Sequence, residues 1–265
     1  MSAITLNGDE IHYADVPGPT HDAPVLVWAH GFLLSAKFYL DIISTLPAYR
    51  HVIVDHRGHG RSAAIETDAT LRRMADDIWG VVSSLGINRF GYVGHSMGSA
   101  VGWRLAAEHP AAIAAGVAIA GIPVTGKRPE SREWVLSMID MAGKEDVLAE
   151  MIGGLYKHLA PGSDHVRSAG AEAALVPREC IREIVTGQFH VDQRAEALPA
   201  LTQPWLFVVS SDDESEPPEH QLTCSALLPD STSVILEGEG HMVCQERPEQ
   251  VARHIADFLG RLQLR

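Results

Sequence analysis

Ser96 sits in Gly94-His95-Ser96-Met97-Gly98, between an apolar run, Phe90-Gly91-Tyr92-Val93, and a helix-forming stretch that begins at Met97. A serine hydroxyl attacks poorly until a base takes its proton, and that base needs a third group to orient it. The Gly-x-Ser-x-Gly spacing is that of a sharp strand-to-helix turn, with glycines beside the serine because the turn leaves no room for larger side chains. As a pentapeptide it recurs by chance, so its weight depends on partners elsewhere in the chain. Partners follow in the order acid, then histidine. Asp213 and its neighbour Asp212 lie in Ser210-Ser211-Asp212-Asp213-Glu214, and His241 lies in Glu237-Gly238-Glu239-Gly240-His241-Met242. Each segment comes after an apolar run that reads as a strand, so all three groups are expected at one end of a sheet.

The elements that must position them are legible in turn. Residues 3–16 read as two strands around Asn7-Gly8-Asp9, a hairpin signal. Residues 25–29 form an apolar strand that ends at His30-Gly31-Phe32, with a helix expected over 36–46. A strand over 51–55 leads into the glycine-rich His56-Arg57-Gly58-His59-Gly60-Arg61-Ser62. A helix over 70–85 then places Leu71, Met74 and Ile78 on one face. The strand before Ser96 comes next, then a helix over 97–108 and a strand over 115–121. Apolar strands alternating with helices imply a mostly parallel sheet covered by helices on both faces. Residues 123–198 depart from that pattern: helical segments over 130–142, 144–158 and 178–186, a turn at 160–164, and no convincing buried strand. The alternation resumes with strands at 205–209 and 233–236 and helices at 217–228 and 248–262. The expected organisation is therefore a core made of residues 1–122 and 199–265, interrupted by a helical insertion over 123–198.

Taken together, these motifs resemble the α/β-hydrolase superfamily of lid-bearing serine hydrolases. The resemblance rests on His30-Gly31-Phe32, on Asp55 through Ser62, on Gly94 through Gly98, on Pro204 through Asp213, and on Gly240-His241 with Glu246-Arg247-Pro248. It covers nearly all of the chain outside the insertion. It implies an α/β-hydrolase fold with an eight-stranded type of sheet, the insertion acting as a lid. The family places its acid nine residues after the proline that opens the penultimate strand, which favours Asp213 over Asp212. By the same resemblance, the backbone N–H groups of Phe32 and Met97 form an oxyanion hole, and neither a metal nor an organic cofactor is required. Two positions depart from the family pattern: Ser210 stands where glycine is common, and Ser99 stands for a second glycine after the turn. Serine at position 96 argues against haloalkane dehalogenases and epoxide hydrolases, which carry aspartate there.

Composition narrows the partners. The chain has 265 residues and a formal net charge of −13, which argues against nucleic acid or an anionic membrane as a partner. Three widely spaced cysteines give neither a metal pattern nor a disulfide framework. The amino terminus shows no basic segment followed by an apolar run, so a cytoplasmic enzyme of small molecules is the expectation. His30, His56, His59 and His95 read as structural hydrogen-bonding groups, Asp55 and Arg57 as an ion pair that fixes the glycine-rich turn, and Cys244 as packing. Trp134, Met138, Met141, Leu155 and Phe189 are candidates for the apolar wall of a substrate pocket, against plain helix packing. The expected substrate is a small to medium, largely apolar carboxylic ester or lactone. Carbon–carbon bond, thioester and amide hydrolysis share the same machinery, and a slow small-molecule receptor is the competing class. Oligomeric state is not legible.

Overall fold

Eight strands and eleven helices run through residues 2–262, the residues that the computed structural model describes. The strands are β1 (Ser2–Leu6), β2 (Asp9–Val16), β3 (Val25–Ala29), β4 (Arg50–Val54), β5 (Phe90–His95), β6 (Ile113–Ile119), β7 (Trp205–Ser210) and β8 (Ser231–Leu236). They form one sheet in the order β1-β2-β4-β3-β5-β6-β7-β8. Only the β1–β2 and β2–β4 pairs are antiparallel; the rest are parallel. All six residues of β5 and of β7 are buried, which is why these strands read as continuous rather than alternating apolar runs.

The helices are α1 (Leu40–Ser44), α2 (Leu71–Ser84), α3 (Met97–Glu108), α4 (Arg132–Ser137), α5 (Glu145–Gly153), α6 (Asp164–Ala174), α7 (Arg178–Gly187), α8 (Arg194–Ala197), α9 (Pro218–Leu227), α10 (Val243–Glu246) and α11 (Pro248–Arg261). Strand β3 is flanked by β4 on one side and β5 on the other, so chain order reverses there. Open α/β sheets bind ligands in the crevice at such a reversal, outside the carboxyl ends of the strands. Gly31, Ser96, Asp213 and His241 all come after strands at that end.

The structure departs from the sequence expectations mainly between β6 and β7. The helix expected over 130–142 is broken into a 3-10 turn (Pro129–Ser131), α4, and a second 3-10 turn (Met138–Met141). The one expected over 144–158 stops at Gly153. Helix α6 occupies a stretch for which only the preceding turn at 160–164 was legible. It begins where the Ser163 hydroxyl accepts the Val166 N–H, and it packs on α5 so closely that a Cβ on Gly170 would lie 2.4 Å from Ala149 Cβ. Its apolar face is made of Val166 and small residues, so the helix gains its stability from docking rather than from strong periodicity.

The expected ion pair between Asp55 and Arg57 does not form. Arg57, 1% exposed, donates instead to both oxygens of Asp77 on α2, at 2.7 and 3.0 Å, and to Asp9 at 3.2 Å. Asp55 accepts the backbone N–H groups of Ala36 and Arg61, at 2.6 and 3.2 Å. Each ion fixes a different part of the turn, because a buried guanidinium needs a carboxylate of its own. Replacing Asp77 by Ala strands most of that buried charge, and Asp77→Ala is expected to cost about 3–5 kcal/mol, measured as a fall in the urea unfolding midpoint at unchanged slope.

Candidate active site

Ser96 adopts φ 50° and ψ −117° at the junction of β5 and α3. This positive-φ geometry is unfavourable for a residue with a side chain. Two backbone bonds from outside the turn hold it: Ser96 N–H donates to Ile119 O at 3.0 Å, and Ser96 O accepts from Ile122 N–H at 3.1 Å. The flanking glycines are sterically obligatory. A Cβ on Gly98 would lie 1.9 Å from Ala29 O, and one on Gly94 would lie 2.6 Å from the Gly98 carbonyl carbon. Ser99, the departure from a second glycine, is buried and donates its hydroxyl to Gly94 O at 2.9 Å.

His241 and Asp213 are brought together from the loops after β8 and β7. His241 Nδ1 lies 2.8 and 3.0 Å from the two oxygens of Asp213. A carboxylate accepts, so Nδ1 carries the proton and Nε2 is left with its lone pair. Asp213 Oδ1 also accepts the N–H groups of Ser215 and Glu216, both at 2.9 Å. Asp212 is placed outside this arrangement: it is exposed and pairs with Lys157 at 2.9 Å, which holds its carboxyl below the usual range. His95 supplies a link that sequence reasoning did not foresee. Its Nε2–H donates to the His241 carbonyl at 2.9 Å, joining the serine turn to the histidine loop.

Ser96, His241, Phe32 and Leu33 line one cavity with Trp134, Met138, Met151, Leu155 and Phe189 from the insertion. Met138 and Phe189 are buried, whereas Trp134 is 41% exposed and stands at the mouth. Met141 does not line the cavity. The Phe32 ring meets Phe189 edge-on at 5.1 Å. Among the described residues, no acceptor within the protein takes the backbone N–H of Phe32 or Met97. The cavity also contains Lys127, which no motif marked. Burial opposes ionisation of its partner Glu216, but the Lys127 ammonium at 2.9 Å and His220 outweigh it and hold that carboxyl below its ordinary value.

His30, His56 and His59 cluster behind Phe32. His30 and His56 lie 4.5 Å apart between ring centres, and His30 and His59 lie 5.4 Å apart. His30 donates through Nδ1 to Gly31 O at 2.8 Å and accepts the His56 N–H at 3.1 Å, which shapes the loop that carries Phe32. Among the described residues, no group of three or more ligating side chains could hold a metal ion. The Cys180, Cys224 and Cys244 thiols are free and buried. Burial pushes the Cys244 thiol up, away from the reactive thiolate.

The mostly parallel eight-stranded sheet, with the serine turn at its reversal point and the acid and histidine loops beyond it, has the architecture of the α/β-hydrolase fold. The sequence model of the alpha/beta hydrolase fold matches residues 24–152, and the chain has that fold. It is similar to RutD of Pseudomonas savastanoi pv. phaseolicola, provisionally named a carbamate hydrolase, with 26% identity over 246 residues covering 90% of this chain and 94% of that one. Among solved structures, the enol-lactonase from Burkholderia xenovorans LB400 superposes with a TM-score of 0.85 at 21% identity, covering 98% of this chain and 100% of that one. A thermophilic esterase from Thermogutta terrifontis superposes with a TM-score of 0.81 at 23% identity, covering 99% of each chain. Likeness at these identities establishes the fold. Among the described residues, no helix is long and apolar enough to cross a membrane.

Burial pulls His30 down to about 4 and His59 to about 3. Both rings are therefore neutral in the folded protein, while the unfolded chain takes up protons near about 6.5. The unfolded state binds more protons in this window, so stability is complete above about pH 6.5 and is lost as pH falls toward about 3. The urea midpoint is expected to fall steadily between about pH 7 and about pH 5, each ring contributing up to about 1.4 kcal/mol per pH unit. A midpoint that is flat or rising over that interval would contradict the buried neutral cluster.

Proposed function

We propose that the protein is a serine hydrolase of carboxylic esters or lactones, working through an acyl-enzyme on Ser96. The observation that carries this reading is the bond from His241 Nδ1 to both oxygens of Asp213, in a cavity that also exposes Ser96. In this reading His241 Nε2 takes the Ser96 proton as Oγ attacks the substrate carbonyl. Asp213 fixes the tautomer and stabilises the imidazolium that results. The developing oxyanion lies between the N–H groups of Met97 and Phe32, and loss of one such donor costs about 3 kcal/mol of transition-state stabilisation. His241 then protonates the leaving oxygen, and in the second half of the cycle it activates water to release the acid.

The lining of the cavity supports the substrate class. The walls supplied by Trp134, Met138 and Phe189 suit an apolar group, and the insertion over 123–198 acts as the lid that shields the reaction from bulk water. Carbon–carbon, thioester, amide and carbamate cleavage use the same groups, and carbamate hydrolysis is the activity in the provisional name of RutD. A receptor role remains the reading from another class: it predicts at most a few turnovers per site with a large change in the lid on binding.

A fluorophosphonate probe together with a panel of p-nitrophenyl esters and lactones tests the proposal. Wild type is expected to label at one serine and to turn over many times per site. Ser96→Ala abolishes both, whereas labelling that survives it would assign the wrong serine. Asp213→Asn is expected to lower kcat by roughly 10³–10⁴-fold, because an amide cannot enforce the tautomer. Asp212→Asn, which breaks only an exposed pair, is expected to change kcat by less than about threefold. The reverse ranking would reassign the acid.

A further inference from the structure

Lys127 follows the end of β6 by a short loop and is buried in the wall of the Ser96 cavity. Its side chain is 4% exposed, and that of its partner Glu216 is 1% exposed. The ammonium donates to Ser215 O at 2.8 Å and to Glu216 Oε2 at 2.9 Å. An ammonium has three N–H groups, and among the described residues no third acceptor lies within hydrogen-bond distance. The Phe189 ring, 5.9 Å from Nζ, covers another side. The other charge-bearing candidates on the wall are the His95 and His241 rings, and burial holds His95 neutral.

A desolvated donor without a partner is unfavourable, and a ligand oxygen that reaches it removes the penalty. Glu216 cancels most of the long-range field, so recognition depends on a short hydrogen bond rather than on attraction of any anion. In the proposed mechanism the acyl group stays attached to Ser96 and must occupy this same cavity.

We propose that Lys127 is a specificity-determining residue, selecting acyl groups that carry an acceptor oxygen, keto or carboxylate, beyond the scissile carbonyl. The inference rests on Ser96 being the nucleophile. It sharpens the expectation of a largely apolar substrate: the acyl chain is apolar except where one oxygen meets Lys127.

Matched p-nitrophenyl esters test it: pentanoate against 4-oxopentanoate, and hexanoate against the adipate half-ester, each kcat/KM divided by the hydroxide-catalysed rate. Wild type is expected to favour at least one oxygen-bearing partner by about tenfold or more, the size of preference that a buried hydrogen-bonding group confers. The keto and carboxylate arms identify which oxygen is read. In Lys127→Met the preference is expected to collapse to within about threefold of unity. Because that variant leaves Glu216 buried without its cation, Lys127→Met with Glu216→Gln is measured beside it, with the same expectation. No preference in wild type overturns the proposal, whether or not the variants fold. So does a preference that survives the loss of Lys127, including an equal loss of rate on both esters of a pair. Absence of fluorophosphonate labelling and of turnover on every ester would instead remove the serine-hydrolase reading beneath it.

Discussion

The backbone at Ser96 is the constraint on which the rest of the site depends. A residue with a side chain is held at φ 50°, a conformation that costs on the order of 1–3 kcal/mol unless its surroundings enforce it. Here they do so from two sides. Strand β6 and the loop beyond it bind both polar groups of the Ser96 peptide, and α3 is pressed against β3 until Gly98 nearly touches the Ala29 carbonyl. That contact brings the start of α3, which Met97 opens, close to the loop after β3, which carries Phe32. The glycines are there because the distance between helix and strand is shorter than any side chain allows.

The histidine loop is tied to this turn rather than merely placed near it. His95, one residue before the strained serine, holds the His241 carbonyl, and Asp213 holds the His241 ring from the opposite loop. The insertion is anchored to the same region. Glu246 accepts the backbone N–H groups of Lys157 and Leu159, at 3.1 and 3.0 Å, as well as that of His158. Lys127 meets Ser215 and Glu216, whose own N–H groups support Asp213. Much of the insertion's attachment around the site is thus made by polar groups that are buried and directional. Apolar contact alone would leave its register over the cavity less defined.

How far the sequence could be read followed from how local each cause was. Strands such as β5 and β7 are apolar throughout because both faces are covered, and that pattern needs no partner to be recognised. Helix α6 was missed because its face toward α5 uses small residues, Ala169, Gly170 and Ala173, whose value lies in close approach rather than in hydrophobic bulk. The helix expected over 130–142 is shorter, since a 3-10 turn stands at each end of α4 and only Arg132–Ser137 is α-helical. Arg57 was given the wrong partner for a related reason: Asp55 is near in sequence, while Asp77 is near only after α2 has packed. Lys127 carried no signal at all, because a single lysine after a glycine looks like any surface charge.

By itself the sequence determined the strand order of chemistry, with serine, acid and histidine each placed after an apolar strand, and the α/β-hydrolase resemblance that followed. Those features are written in short runs of residues whose backbone geometry is set locally. Tertiary structure decided which acid reaches His241, which carboxylate neutralises Arg57, and which insertion residues face Ser96. It also decided that a lysine ends in the wall of an apolar cavity. Each of these depends on distances between segments far apart in the chain, which only packing brings within the few ångströms over which hydrogen bonds and ion pairs act.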